Sequence, residues 1–322
     1  MPSEFELIHK YFTRPTKYAR LGIGDDCALL EIAHGMELAV STDMLVSGTH
    51  FFPDADPFQL GHKALAVNLS DMAAMSAKPR WCTLALALPE VDEAWIEAFS
   101  RGFFSMADQY DVELIGGDTT RGPLTFCVQI MGEAPMGAAI MRSGAKVGDD
   151  VWVSGELGDA ALALAHLQGR VTLDEEALAI CLPQLHMPVP RVELGLWLRG
   201  LAASCIDISD GLLADVGHIL DLSGVGAELW LDAIPHSTVV GDYPDQALAD
   251  ECVLTGGDDY ELCFTAHPNT RAEVEGLVDR ANVNLTRIGT ITEGSQLRVL
   301  DAQGRAIEIA YTGFDHFKNK NL

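Results

Sequence analysis

Six short acidic signatures interrupt the apolar runs of this chain: GIGDD at 22–26, STD at 41–43, NLSD at 68–71, GGD at 116–118, DISD at 207–210 and GGDD at 256–259. Most set a carboxylate beside Gly, Ser or Thr at the border of an apolar stretch, which predicts acids fixed at strand ends rather than spread over a solvated face. Any one of them has an ordinary explanation, because GDD and SDG are frequent turn formers and the Asp of LSDMAAM suits a helix surface. Six in one chain point to a shared purpose. Carboxylates that converge repel one another unless a cation joins them. Hard oxygen ligands without paired Cys or His favour magnesium, manganese or calcium, and magnesium commonly bridges carboxylates to substrate phosphates. Phosphoryl transfer is the first expectation.

With 322 residues the chain exceeds the size at which one hydrophobic core keeps growing, so two domains are expected. An apolar content of 48% with 7% aromatic fits an Ala/Leu/Val-rich α/β or α+β protein and excludes a largely disordered chain. Lys and Arg number 21 against 47 Asp and Glu, a net charge of -26, which opposes binding to nucleic acid or to anionic membrane surfaces. The seven cysteines, Cys27, Cys82, Cys127, Cys181, Cys205, Cys252 and Cys263, form no CxxC pair. They read as buried reduced thiols, which suits a cytoplasmic location. MPSEFELIHK lacks the apolar centre of a signal peptide, and the apolar stretch around Ala85 is far too short to span a bilayer.

After a short opening helix, ELAVSTD ends an apolar run at an acidic turn, and residues 57–77 read as a helix of good formers with Asn68 and Asp71 on one face. A buried strand follows at 81–89, then an amphipathic helix at 92–110 with an acidic first turn. DVELIGGDTTRG reads as a strand running into a glycine turn, with TFCVQIMGEA as its hairpin partner. The first domain closes at residue 137. GAAIMRSGAKVGDD at 137–150 has the look of a connection. The second domain, 138–322, holds a strand at VWVSG, a helix at GDAALALAHLQ, the Pro-punctuated MPVPRVELGLWLRGL, a strand, acidic turn and helix in SCIDISDGLLADVGHIL, and the same design again in TGGDDYELCFTA.

The chain has no GxxxxGK[ST] loop, GIGDDC lacks the third glycine of the dinucleotide fingerprint, and no HRD or DFG set occurs. Nucleotide binding would rest on metals and acidic loops. Asp26, Asp43, Asp71, Asp118, Asp207 and Asp210 are the candidate magnesium ligands, direct or through water. Ser41 and Thr42 can add a hydroxyl or carbonyl beside Asp43, or simply bond within the turn. Gly116 and Gly117 let backbone approach phosphate oxygens, or mark a tight turn. Arg142, on a mobile glycine-flanked segment, suits a clamp on ATP phosphates and equally a solvated charge, with Lys146 in reserve. His50 suits a phosphate contact or a satisfied core imidazole. No Ser/His/Asp or Cys/His arrangement for nucleophilic catalysis is recognisable.

GIGDDCA, STDMLVSGTHF, KALAVNLSDMAAM, LIGGDTTRGP, RSGAKVGD, DISDGL, GGDDYELCF and YTGFDHF together, in this order over nearly the whole chain, closely resemble the thiamine-monophosphate kinase family of the aminoimidazole-ribonucleotide-synthetase-like superfamily. The resemblance implies a two-domain fold, α/β plus α+β. The N-terminal α/β domain would bind metal and ATP and dimerise, and the C-terminal α+β domain would complete the active site. It implies ATP-dependent phosphorylation of thiamine monophosphate to thiamine diphosphate by direct in-line transfer, with several Mg²⁺ ions and no phosphoenzyme, in a cytoplasmic homodimer. Asp26, Ser41, Thr42, Asp43, Asp71, Asp118, Asp207 and Asp210 would serve the metals; Gly117, Asp118, Arg142 and Ser209 would contact ATP; His50, Glu261 and Phe314 would contact thiamine monophosphate. Asp43, Asp118, Asp210 and Arg142 would carry the transfer. Phe314 offers an aromatic wall to the thiazolium cation, or a C-terminal packing anchor. The family commonly has Glu where Asp258 stands, which leaves the role of position 258 open. The competing expectations are another ATP-using synthetase of the superfamily and a non-catalytic metal- or nucleotide-binding regulator.

Overall fold

The computed structural model describes residues 2–309, which fall into two compact units. The first runs to residue 72 and continues over 77–137; the second takes 73–76 and extends from 138 onward.

The first unit contains helix α1 (Glu4–Leu7), strand β1 (Met36–Val46), α2 (Pro57–Ala74), β2 (Lys78–Leu88), α3 (Glu93–Tyr110), β3 (Glu113–Arg121) and β4 (Thr125–Pro135). Its four strands lie in the order β1-β4-β2-β3. Chain entry into α3 is set by Asp92, whose carboxylate accepts from the N–H groups of Ala94 and Trp95, and the helix stops at Asp111 in the left-handed conformation, φ 54°, as N-caps and C-terminal residues commonly do. The crossover β2-α3-β3 makes these two strands parallel, the arrangement a helix connection permits. Trp81, Ile96, Phe99, Phe103, Phe126 and Ile130 are among the largest fully buried side chains, and Phe99 packs on Phe126 with ring centroids 5.2 Å apart.

Three expectations are corrected here. β1 does not end at an acidic turn; it runs through Ser41, Thr42 and Asp43 to Val46. Likewise Gly116, Gly117 and Asp118 lie inside β3 rather than in a glycine turn. β4 is not a hairpin partner of β3, because it inserts antiparallel between β1 and β2. The physical reason is shared: β1 and β3 flank this sheet, and flanking strands tolerate charge and glycine where a central strand would not.

The second unit is built on a seven-stranded mixed sheet. In chain order it comprises β5 (Asp150–Ser154), α4 (Asp159–Leu167), α5 (Glu175–His186), α6 (Val192–Trp197), β6 (Ala202–Asp207), α7 (Leu212–Ser223), β7 (Gly226–Trp230), α8 (Thr238–Gly241), α9 (Gln246–Thr255), β8 (Leu262–Ala266), β9 (Leu285–Thr292), β10 (Leu297–Leu300) and β11 (Ala306–Ile307). The strand order is β11-β10-β7-β9-β5-β8-β6. Val153, Leu157, Leu162, Ile208, Leu212, Cys263 and Ile288 are buried in one apolar cluster beside it. At the start of β5, Asp150 is buried and paired with Arg271 at 2.5 Å and Arg287 at 3.2 Å. No helix of the described residues is long and apolar enough to cross a membrane. Among the cysteines, five are buried as expected, whereas Cys27 is exposed and Cys127 half-buried.

In the first unit α2 and α3 touch through glycine: a Cβ on Gly61 would overlap the Phe99 carbonyl, and one on Gly102 the Phe58 carbonyl. Gly102→Ala should therefore destabilise by about 1–3 kcal/mol, the usual cost of overpacking. Urea unfolding tests this, and a loss below roughly 0.5 kcal/mol, the level of an indifferent surface change, would mean that the helices part without cost.

Candidate active site

In the first unit the strand register decides which face each acid takes, because directly opposed residues share a face. Asp43 lies in a row with Val128, Leu84 and Gly117, while Asp118 lies in the next row with Ala85, Cys127 and Met44. Val128 and Leu84 are buried, and Ala85, Met44 and Asp118 are exposed. Asp43 and Asp118 thus occupy opposite faces of one sheet. The Asp43 face meets α2. Ser41 donates its hydroxyl to Asp71 Oδ2 at 2.6 Å, and the Asp43 N–H donates to Asn68 Oδ1 at 3.3 Å. Residues 68 and 71 therefore address one neighbour, as their three-residue helical spacing predicts. Asn68 is itself fixed, its amide donating to the Ala64 carbonyl at 3.0 Å.

Thr42, on the other face, accepts from Gln129 Nε2 at 3.5 Å. Asp26 is exposed in the 22–26 turn, its N–H donating to Asp25 Oδ1 at 2.9 Å. His50 Nδ1 accepts from the Val46 N–H at 3.0 Å, which places the proton of a neutral ring on Nε2. Gly117 has φ 150° and a Cβ there would overlap the Leu84 backbone. Close strand approach, not a turn, is what demands glycine at that position.

In the second unit β6 delivers Asp207, buried, to a loop that leads into α7. That loop is held from inside: Asp215 Oδ2 accepts the N–H groups of Ser209, Asp210 and Gly211 at 3.0, 3.1 and 3.1 Å. The GGDDYE segment zips onto it. Asp258 N–H donates to the Ser209 carbonyl at 3.0 Å, Tyr260 N–H to the Ile208 carbonyl at 2.8 Å, and Ile208 N–H to the Glu261 carbonyl at 2.8 Å. Asp258 and Tyr260 have φ of 70° and 51°, a conformation that costs a non-glycine residue energy and collects at functional sites. The Tyr260 hydroxyl donates to Asp258 Oδ1 at 3.0 Å. Position 258 thus has a local structural role. Asp259 Oδ1 accepts from the Gly158 N–H at 3.1 Å, its buried Oδ2 has no hydrogen-bond partner among the described residues, and burial pushes its carboxyl well above the ordinary range.

Glu261 is buried and faces Arg191, which donates to it through both Nε, at 2.8 Å, and Nη2. The Ser154 hydroxyl donates to the same carboxylate. Arg142 is exposed, as a phosphate clamp requires, on a segment that starts where the two units divide and whose backbone is hydrogen-bonded on both sides of it. The Met141 carbonyl accepts from Cys205 N–H at 3.1 Å, and the N–H groups of Gly144 and Ala145 donate to Ser223 Oγ at 3.2 and 3.3 Å. Lys146 is also exposed. Phe314, with the rest of YTGFDHF, lies outside the described residues.

Among the described residues, no group of three or more His, Cys, Asp or Glu side chains is arranged to hold a metal ion by itself. What the structure offers is smaller oxygen sets: Ser41, Asp43 and Asp71 in the first unit, Asp207 and Asp210 in the second. Such sets suit magnesium, which takes one or two carboxylates and completes its octahedron with water and substrate phosphate. Charge in the second unit points the same way. Burial, and then the charges of Asp207 and Asp210, push the Asp215 carboxyl up to about 7, against the hydrogen bonds from Asp210 and Ser209. A cation there would relieve that repulsion.

Sequence reasoning missed Asp215, Asn68 as a partner of β1, and the Arg191 and Ser154 partners of Glu261. Asp215 carried one signal, an acid in the first turn of a helix that follows directly on DISDG. Its folded pKa exceeds the unfolded one, so its stabilising contribution is complete below about pH 4 and is lost as pH rises through about 7. In EDTA-treated protein, Asp215→Asn should flatten the decline of Tm across that window; an unchanged slope would assign the decline to another group.

Residues 24–134 match AIR synthase related protein, N-terminal domain, and residues 146–302 match AIR synthase related protein, C-terminal domain. The thiamine-monophosphate kinase of Salmonella typhimurium is 48% identical over 319 residues, 98% of each chain. The crystal structure of thiamine-monophosphate kinase from Stenotrophomonas maltophilia is 47% identical, with a TM-score of 0.84 over 94% of this chain and 96% of that one. AaThiL complexed with AMPPCP and TMP is 31% identical, with a TM-score of 0.77 over 92% of each. With a match of this extent, the chain belongs to the thiamine-monophosphate kinase family, on the AIR synthase related two-domain fold.

Proposed function

We propose that this chain transfers the γ-phosphoryl group of ATP directly and in line to thiamine monophosphate, giving thiamine diphosphate and ADP, with several Mg²⁺ ions. The full-length similarity to thiamine-monophosphate kinases, one of them complexed with AMPPCP and TMP, carries the reaction; the meeting of Ser41 with Asp71 and of Asp43 with Asn68, and the held loop around Asp210, support the metal roles nearest to them. On the first unit Asp26, Ser41, Thr42, Asp43, Asp71 and Asp118 serve magnesium, Gly117 and Asp118 contact ATP, and His50 contacts thiamine monophosphate. On the second, Asp207 and Asp210 serve magnesium, Arg142 and Ser209 contact ATP, and Glu261 contacts thiamine monophosphate. Phe314 completes that substrate set. Bound magnesium would neutralise the polyphosphate charge that otherwise repels the incoming phosphate oxygen.

The chain's own residues then have little covalent chemistry to perform. The attacking phosphate oxygen is already an anion near neutral pH, so no strong general base is needed. Asp43, Asp118 and Asp210 act by fixing charge in place, each on a regular strand or on a loop locked by hydrogen bonds. Arg142, on a backbone fastened at both sides, presents a guanidinium to developing phosphate charge. Incubated with Mg-ATP and thiamine monophosphate, the protein should form thiamine diphosphate and ADP in equal amounts. EDTA should abolish both, and Asp43→Asn should lower kcat/KM at least about 100-fold. ADP without thiamine diphosphate would reassign the chain to another ATP-using reaction of its superfamily, and neither product from folded protein that still binds Mg-ATP would point to a regulator.

The chain acts as a cytoplasmic homodimer in this proposal. Support for the dimer is the exposed face of the four-stranded sheet, where Leu38, Val40 and Met44 are 43%, 51% and 56% exposed, side chains a second copy would cover. Val40→Glu combined with Met44→Glu should convert a dimer to a monomer in light scattering, and a monomeric parent protein would overturn the assignment.

A further inference from the structure

We infer that Arg191 is a positioning residue for thiamine-monophosphate recognition, acting through Glu261. The inference rests on the proposal that Glu261 contacts this substrate, and it adds what makes that contact possible. Glu261 is 5% exposed. A carboxylate so buried is costly unless its charge is matched and its lone pairs are used. Arg191 does both with two N–H groups in a forked approach, Nε to Oε2 at 2.8 Å and Nη2 to Oε1, the geometry that fixes a carboxylate in plane as well as in place.

Two further features show that the seat is built for the carboxylate. The Ser154 hydroxyl donates to Glu261 Oε2 while its oxygen accepts the Leu262 N–H at 2.9 Å, so one serine ties the carboxylate to the backbone of its own strand. Gly155 next to it has φ 62°, and a Cβ there would overlap the Glu261 carboxylate. Arg191 stands at the N-terminal cap of α6, directly after Pro190, whose ring restricts the approach of the chain. Three segments that the sequence kept apart, VSG at 153–155, PVPR at 188–191 and DYEL at 259–262, thus meet at one carboxylate. A pair of this kind also carries no net charge, so what it offers a substrate is an oriented acceptor, which fails when the orienting arm is lost.

Steady-state kinetics with each substrate varied in turn tests the inference. Arg191→Met should raise KM for thiamine monophosphate about tenfold, the worth of one charged hydrogen-bond unit, with KM for ATP within about twofold. Arg191→Lys, which keeps the charge without the fork, should give an intermediate rise, and it carries the test alone should Arg191→Met fail to fold. If Arg191 acts through Glu261, the double variant Arg191→Met/Glu261→Gln is no worse than Glu261→Gln. Equal rises in both KM values, or multiplied effects in the double variant, would overturn it and leave Arg191 a general structural residue. An unchanged KM for thiamine monophosphate in Glu261→Gln, with the parent protein active, would remove the substrate contact itself and the inference with it. A rise in Glu261→Gln alone, with Arg191→Met unaffected, would overturn only the positioning role.

Discussion

One carboxylate oxygen, Asp215 Oδ2, takes three successive backbone N–H groups, and much of the second unit's candidate site follows from that. Consecutive N–H groups pointing inward from a loop form a nest suited to an anion. Here the anion is the protein's own, so the loop from Ile208 to Gly211 takes its shape before any phosphate arrives. With the N–H groups turned inward, what the loop can show a polyphosphate is the Ser209 hydroxyl and the acids Asp207 and Asp210. This differs from a glycine-rich phosphate loop, where main-chain N–H groups meet the phosphate directly. It agrees with a sequence that has no such loop and many acids. The order continues outward: the fixed loop is the edge on which Asp258, Tyr260 and Glu261 are zipped by backbone bonds, and those bonds hold two strained residues in place.

In the first unit the governing constraint is alternation along strands. Neighbouring residues of a strand point to opposite faces, so STD sends the side chains of Thr42 and Asp43 apart and leaves Thr42 its backbone carbonyl to offer beside Asp43. Asp43 and Ser41 turn to the helix, and Thr42 turns to the face that also bears Asp118. A turn, as the sequence suggested, would have let all three side chains converge. The acids were misplaced because a polar residue ending an apolar run looks the same in sequence whether the chain turns or continues as a flanking strand. The helix was legible for the opposite reason. Good helix formers marked residues 57–77, of which α2 takes 57–74, and the shared face of Asn68 and Asp71 followed from spacing alone, although the partner they address did not.

The second unit was legible as strand, acidic turn and helix at SCIDISDGLLADVGHIL, because apolar runs of two different periods meet there. Its side-chain partnerships were not. Arg191 and Glu261 stand 70 positions apart, and no local pattern links a proline-flanked arginine to a glutamate at the end of a glycine-rich segment. Asp215 was overlooked because an acid in the first turn of a helix is already explained by the helix dipole. The segment at 137–150 was legible as a connection, since the two units divide between residues 137 and 138. What its glycines did not reveal is the close approach at Gly144, which lies against the Ala203 carbonyl.

Buried acids in the second unit are matched in different ways, and the difference bears on what each can do. Asp150 is matched by two arginines; burial opposes ionisation there, yet Arg271 and Arg287 prevail and hold its carboxyl below the usual range. That acid is committed to the fold. Asp215 is matched by neutral N–H groups among like charges, and its carboxyl rises, which marks a place where negative charge is in excess and a cation would be welcome. Glu261 stands between these cases, paired with an arginine yet placed at the end of the strained GGDDYE segment. An acidic chain of net charge -26 has few arginines to spare. Placing one in a fork against a single buried carboxylate commits it to holding one acceptor still.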